Sequence, residues 1–230
     1  MALAIITGAS RGLGLELARA LARREWALVL DARGAPALEA AARELGAQTE
    51  VTALPGDVSD AEHRRALVAA AGETIDLLVN NASVLGPSPQ PVLADYPGAE
   101  LERVFRVNTF APVALAQLAL PRMPDGGRII NVTSDAAVEA YEGWGGYGSS
   151  KAALDQFSAI LAAEQPSLRV YAVDPGDMRT QMQQEAFPGE DISDRPLAKT
   201  SVPGLLRLID GELPSGRYRA RELAHDGAGV

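Results

Sequence analysis

The sequence predicts one α/β domain built on a doubly wound parallel sheet. Three observations carry that reading. Short apolar runs of four to six residues recur along the chain, and stretches of helical period separate them. The runs are apolar at consecutive positions rather than at alternate ones, so both faces of each strand are to be covered. The chain is 230 residues long, which suits a single large domain burying about 70 % of the surface its unfolded form exposes. Strands alternating with helices call for right-handed crossovers and helices on both sides of the sheet.

Taken in order, residues 2–6, 27–30, 50–54, 76–79, 128–132 and 168–173 read as strands. Leu13, Leu17 and Leu21 mark one face of the first helix. Leu101, Phe105, Asn108, Leu115 and Leu118 mark a later one, and Leu154, Phe157 and Leu161 a third. Residues 181–199 break the pattern with Pro188, Gly189, Pro196 and many polar groups, and are expected to form a substrate-side loop or lid with short helical pieces. The domain is expected over 1–222, with a flexible tail at 223–230.

Composition narrows the function. The net charge of −9 and pI of about 4.8 argue against nucleic-acid and anionic-membrane partners, which need a basic face. There is no cysteine, hence no disulfide framework, thiolate chemistry or cysteine-based metal site. His63 and His225 lack companions at ligand spacing; both read as exposed polar residues, and no metal is expected. No run approaches the roughly 18 apolar residues of a membrane span, and the few residues before the first glycine loop are not expected to act as a secretory leader. A cytoplasmic location is the expectation.

Two clusters carry chemistry. Tyr147 and Lys151 lie one helical turn apart in Y-G-S-S-K, so phenol and ammonium share a face. An ammonium beside a phenol favours the phenolate, which is expected to bring Tyr147 toward titration near neutral pH. The chain has two lysines against 19 arginines, so a lysine here departs from its own habit. Ser134 ends the apolar run R-I-I-N-V-T-S thirteen residues upstream of the tyrosine. The second cluster is Thr7-Gly8-Ala9-Ser10-Arg11-Gly12-Leu13-Gly14, between the first strand and the first helix. Glycines there allow a tight turn and let a pyrophosphate approach the positive helix end.

The spacing G-x-x-x-G-x-G resembles the short-chain dehydrogenase/reductase (SDR) family, and the resemblance extends over residues 3 to 180. Asp57-Val58 resembles the family's adenine contact, and Asn80-Asn81-Ala82-Ser83 its N-N-A-G element. Asn108, Ser134, Tyr147 and Lys151 fall in the order of its catalytic tetrad. Pro175-Gly176-Asp177-Met178-Arg179-Thr180 is similar to its P-G-x-x-x-T element, which contacts nicotinamide and pyrophosphate. The resemblance implies a Rossmann-type sheet of about seven strands in the order 3-2-1-4-5-6-7. It implies a dinucleotide held by Gly8, Ser10, Arg11, Gly12, Leu13, Gly14, Arg33, Asp57, Val58, Asn80, Asn81, Ala82, Tyr147, Lys151, Pro175, Gly176, Met178 and Thr180. Two departures stand out. Ser83 replaces a glycine and is expected to adjust local turn geometry, and the short ending S-G-R-Y-R-A-R-E-L-A leaves substrate pocket and oligomer seam unassigned.

Cofactor choice turns on charge. Relatives that take NAD carry an acid where Ala32 stands; here Arg33 follows, and Arg11 projects from the glycine loop. Two guanidinium groups suit a 2′-phosphate, so NADP(H) is expected. Asp31 argues for NAD(H), because a register shift of one would make it a ribose acceptor. The implied reaction interconverts a carbonyl and an alcohol. Tyr147 exchanges the proton, Ser134 holds the oxygen, and Lys151 lowers the tyrosine pKa and binds the ribose. Pro112 lacks the N–H that would pair the Asn108 carbonyl, which frees that oxygen for a water relay or merely kinks the helix. Asp135, Val138, Tyr141, Trp144, Met178 and the 181–199 loop are the pocket candidates for a neutral ketone or aldehyde. The resemblance also implies a homodimer, or a homotetramer, through the helices of Phe105 and Phe157. A catalytically idle NADP(H)-binding sensor or scaffold is the other reading.

Overall fold

A computed structural model describes residues 1–225. The chain runs β1 (Leu3–Ile6), α1 (Gly12–Ala22), β2 (Ala27–Ala32), α2 (Ala35–Leu45), β3 (Val51–Pro55), α3 (Ala61–Ala70) and β4 (Leu77–Asn80). It continues through α4 (Gly98–Phe105), a π turn (Arg106–Phe110), α5 (Ala111–Ala119), β5 (Arg128–Val132), α6 (Gly145–Glu164) and β6 (Arg169–Asp174). It closes with α7 (Gln181–Ala186), α8 (Val202–Asp210), β7 (Gly216–Arg219) and α9 (Ala220–His225). The seven strands lie in the order β3-β2-β1-β4-β5-β6-β7 and every pairing is parallel. This is the Rossmann-type doubly wound sheet. Strand order reverses beside β1, and the crevice beyond the strand C-termini there is where open α/β sheets bind ligands.

The two-sided apolar character of the strands is used as read. Ile6, Leu30, Val79, Ile130 and Val173 pack on one side against Leu13, Leu17 and Leu21 of α1 and Leu205 and Leu208 of α8. Ile5, Val29, Leu78, Ile129 and Val170 pack on the other against Leu67 of α3 and Leu115 of α5. Each such side chain contributes about 1.5–3 kcal/mol on burial. Two features departed from expectation. β7 is made of Gly-Arg-Tyr-Arg and is half-exposed at the sheet edge, so apolar runs do not reveal it. The tail expected from 223 starts inside α9, because Leu223 is buried in the core and its carbonyl accepts from Arg207 Nη1 at 3.2 Å. Residues 226–230 of that expected tail lie outside the described residues.

Candidate active site

A cavity of about 1050 Å³ opens at the C-terminal ends of the strands. Gly8, Ser10, Arg11, Gly12 and Leu13 line it from the glycine loop, and Arg33, Asp57 and Val58 from the ends of β2 and β3. Asn81, Ala82, Tyr147, Lys151, Pro175, Met178 and Thr180 line the other side. Gly14, Asn80, Gly176, Asn108 and Ser134 do not line it. Gly14 serves packing, since an added Cβ would come within 2.6 Å of Asn81 Nδ2 and the Gly8 carbonyl. Asn80 is buried and donates to Asn131 Oδ1 at 2.8 Å, tying β4 to β5.

The groove fits a dinucleotide. Gly8 and Gly12 have φ of +65° and +58°, which side-chain-bearing residues rarely adopt. The first turn of α1 has no side-chain cap, so its amides face the groove without an internal partner. Asn81 fixes the loop: its side-chain amide donates to the carbonyls of Thr7 and Gly8 at 2.9 and 3.1 Å, and its N–H to Thr7 Oγ1 at 3.0 Å. Arg11 hydrogen-bonds Gln181 of α7 across the opening. Partial burial opposes ionisation of Asp57, yet the Ser59 amide at 2.8 Å and nearby Arg33 and His63 hold its carboxyl below the usual range.

His63 corrects the reading of an exposed histidine. Its Nε2 lies 2.9 Å from Asp31 Oδ2, with side chains 10 % and 2 % exposed. The other oxygen of Asp31 accepts from the Gly8 amide at 2.8 Å. Both oxygens of this carboxylate therefore serve the fold, anchoring the glycine loop to β2 and α3. The side chain of His225 lies outside the described part of the structure.

Tyr147 and Lys151 stand on one face of α6, as the spacing predicted, and both are buried. Gly148 lets that helix come close to the Ser134 loop: an added Cβ there would lie 2.6 Å from the Ala136 carbonyl. The Lys151 ammonium donates to the Val132 carbonyl at 2.8 Å and lies 5.6 Å from the centre of the Tyr147 ring. Burial lowers the Lys151 pKa from 10.5 to about 8, against the pull of Asp155. Burial raises the Tyr147 pKa to about 12, while the Ser134 and Ser83 hydroxyls act to lower it. The expectation of a phenol titrating near neutral pH through its lysine is thus corrected. Desolvation outweighs every neighbour, and the hydroxyls supply the opposing pull.

Ser134 Oγ donates to Asp135 Oδ1 at 2.9 Å. Arg217 of β7 donates to the Ser134 carbonyl at 2.9 Å and to Asp155 Oδ2 at 3.0 Å, a positioning role the sequence did not flag. Asn108 is fully buried in the π turn, four residues before Pro112. Its side chain is fixed by the Val84 amide and carbonyl, both at 2.8 Å, by Ser150 Oγ at 3.0 Å and by Ser83 Oγ at 3.1 Å. Turn geometry is therefore not the whole role of Ser83. Among the pocket candidates, Met178 and part of 181–199 line the cavity, whereas Asp135 and Trp144 do not, and Val138 and Tyr141 are exposed outside it. Asp135 accepts from Tyr141 at 3.1 Å. Trp144 stands edge-on to Tyr147 with centroids 5.7 Å apart and against Phe187 at 6.0 Å, walling the tyrosine from solvent. Among the described residues no group of three or more His, Cys, Asp or Glu side chains is arranged to hold a metal ion.

A glycine-lined groove beside a buried Tyr–Lys pair and a half-buried serine, on a sheet of this order, defines a dinucleotide-dependent oxidoreductase of the Rossmann type. The family model for short chain dehydrogenase matches residues 2–191, and the chain belongs to that family. The chain is 37% identical over 227 residues to a Saccharomyces cerevisiae benzil reductase ((S)-benzoin forming), covering 92% of this chain and 86% of that one. It is 32% identical to Bos taurus sepiapterin reductase, covering 96% and 87%. Among solved structures, an alcohol dehydrogenase from the archaeon Thermococcus sibiricus complexed with 5-hydroxy-NADP superposes with a TM-score of 0.85 at 28% identity, covering 95% of each chain.

Proposed function

We propose that this protein is an NADP(H)-dependent oxidoreductase interconverting a ketone or aldehyde and its alcohol. The observation that carries the proposal is the convergence of Tyr147, Lys151 and the Ser134 hydroxyl beside the glycine-loop groove. When bound, the nicotinamide supplies or accepts the hydride. Everything else falls to the chain. The uncapped start of α1 suits the pyrophosphate, Asp57 and Val58 the adenine side, and Lys151 the nicotinamide ribose. Arg11 and Arg33 suit a 2′-phosphate. Asp31 lines the groove, but the bonds of its oxygens to Gly8 and His63 give it a role in the fold that does not depend on a ribose hydroxyl, so its presence is weak support for NAD(H). Structures of similar proteins complexed with NADP, NADPH or 5-hydroxy-NADP agree with that preference.

In reduction, Tyr147 is a proton donor kept neutral by burial, which suits an acid meeting a carbonyl oxygen as negative charge develops there. Ser134 turns its proton from Asp135 to the same oxygen and stabilises that charge. Lys151, with a pKa of about 8, exchanges protons near neutral pH and can resupply the tyrosine. Pro112 has no N–H to offer the Asn108 carbonyl four residues earlier, and that oxygen, in the π turn, is suited to hold a water that connects Lys151 to solvent. The 181–199 segment, with Gln181, Met182 and Glu185 on the cavity wall, serves as the substrate-side lid. Trp144, edge-on to Tyr147 and packed on Phe187 outside the cavity lining, suits a neutral aryl carbonyl held at the tyrosine, and the yeast relative makes benzil the first probe.

Exposed Phe110, Phe157 and Ile160 near the Phe105 helix support a homodimer, or a homotetramer through a further seam. A cytoplasmic site agrees with the absence, among the described residues, of any helix long and apolar enough to cross a membrane. The test is NADPH oxidation across aldehydes, ketones and benzil, with Tyr147→Phe as control. Turnover is expected in the parent and a loss of about 10²–10⁴ in the variant. Tight NADPH binding with no carbonyl turned over would overturn the enzyme reading in favour of a sensor.

A further inference from the structure

Ser83 occupies a position where the family resemblance calls for glycine, and the chemistry above makes no use of its hydroxyl. That hydroxyl touches one residue of the site, and its residue shares the cavity with two others. The O–H donates to Asn108 Oδ1 at 3.1 Å, and the residue lines the cavity together with Tyr147 and Lys151. It is also one of two hydroxyls that favour ionisation of the Tyr147 phenol. The second, Ser134, already donates to Asp135 and must turn to the substrate oxygen during reaction. Ser83 has no such second duty.

Asn108 makes the position usable. Its amide nitrogen is engaged by the Val84 carbonyl at 2.8 Å and by Ser150 Oγ at 3.0 Å, which fixes Oδ1 toward Ser83. Oδ1 also accepts from the Val84 amide at 2.8 Å. If the Ser83 proton turns away, Oδ1 keeps a partner and no buried acceptor is stranded. A hydroxyl has one proton and rotates to suit its neighbours.

We propose that Ser83 is a positioning residue for proton transfer: its hydroxyl proton swings from Asn108 Oδ1 to the Tyr147 oxygen when the phenol gives up its proton, and swings back when the proton returns. Ser83 itself gains and loses no proton. A glycine at this position could not supply the bond. The proposal rests on Tyr147 being the acid/base of the reaction.

The test uses the NADP⁺-bound protein and two readouts, the pH profile of kcat for benzoin oxidation and ring-carbon NMR of labelled tyrosine, with Tyr147 assigned by its loss in Tyr147→Phe. Ser83→Ala and Ser83→Gly are expected to move both midpoints up by about one pH unit, with an about tenfold slower rate on the acid limb and a recovered plateau at high pH. Ser83→Thr, which keeps the hydroxyl, is expected to hold the parent midpoint. Midpoints that coincide in all proteins, or a lowered plateau with an unmoved midpoint, would overturn the proposal and leave the oxidoreductase reading intact. A Tyr147→Phe variant as fast as the parent would instead sink that reading, and this proposal with it.

Discussion

Consider Lys151→Met. Lys151 is 2 % exposed, and its pKa falls from 10.5 to about 8 because burial disfavours the ammonium. That drop corresponds to about 3 kcal/mol of destabilisation while the group stays charged. Between the two values the folded protein has shed a proton that the unfolded chain still holds. Stability therefore rises with pH across that window and is flat below it. Methionine has a similar length and does not titrate. It forfeits the bond to the Val132 carbonyl, which costs about 1 kcal/mol at every pH. Parent stability minus variant stability should therefore climb by about 2 kcal/mol from about pH 7 to about pH 9.5. Tyr147 is present in both proteins, so its own contribution cancels over that range. Urea unfolding followed by circular dichroism, at matched protein concentration, reads the difference. A difference that stays constant across the range would mean that Lys151 titrates as an ordinary surface lysine, and the buried-ammonium argument would be wrong.

The groove and the helix approach give further expectations. Arg33→Ala should raise the KM for NADPH about 10- to 100-fold and leave that for NADH nearly unchanged, as expected for loss of a charge-assisted phosphate contact; an unmoved NADPH KM would remove the basis for the NADP preference. Asp31→Ala should lower stability by about 2–3 kcal/mol, since it strands the Gly8 amide and His63, without shifting the NADPH-to-NADH ratio. A marked swing toward NADPH would reassign that carboxylate to the ribose. Gly148→Ala puts a methyl 2.6 Å from the Ala136 carbonyl, so α6 must retreat from the serine loop. A loss of about 1–3 kcal/mol in stability and a fall in kcat larger than any change in NADPH affinity are expected. An unchanged kcat would show that this close approach does not set the tyrosine's position.

Much of the fold was legible because parallel strands buried on both faces leave an unambiguous apolar signature, as Ile5 and Ile6 facing opposite layers show. The strand G-R-Y-R carries no such signature: it lies at the edge, half-exposed, and Arg217 there turns inward to Asp155 and Ser134. The π turn around Asn108 was hidden because helical periodicity runs through it from both sides. Tyr147, Lys151 and the glycine loop were legible because local spacing fixes which side chains share a helix face. Burial is a tertiary quantity, so the sequence suggested the wrong direction for the tyrosine pKa. Pairing at long separation was equally hidden, as with His63 and Asp31, 32 residues apart. Ser83 could have been weighed differently: a hydroxyl where the family pattern has glycine is a chemical difference as well as a conformational one.

The central claim is hydride exchange with a carbonyl carbon held beside Ser134 and Tyr147. Its most direct test is reduction of benzil by the parent protein with NADPH deuterated at the transferable position, followed by mass spectrometry and NMR of the product. Deuterium on the new carbinol carbon is the expected result. An alcohol product without deuterium at that carbon, from either diastereotopically labelled NADPH, would contradict the account.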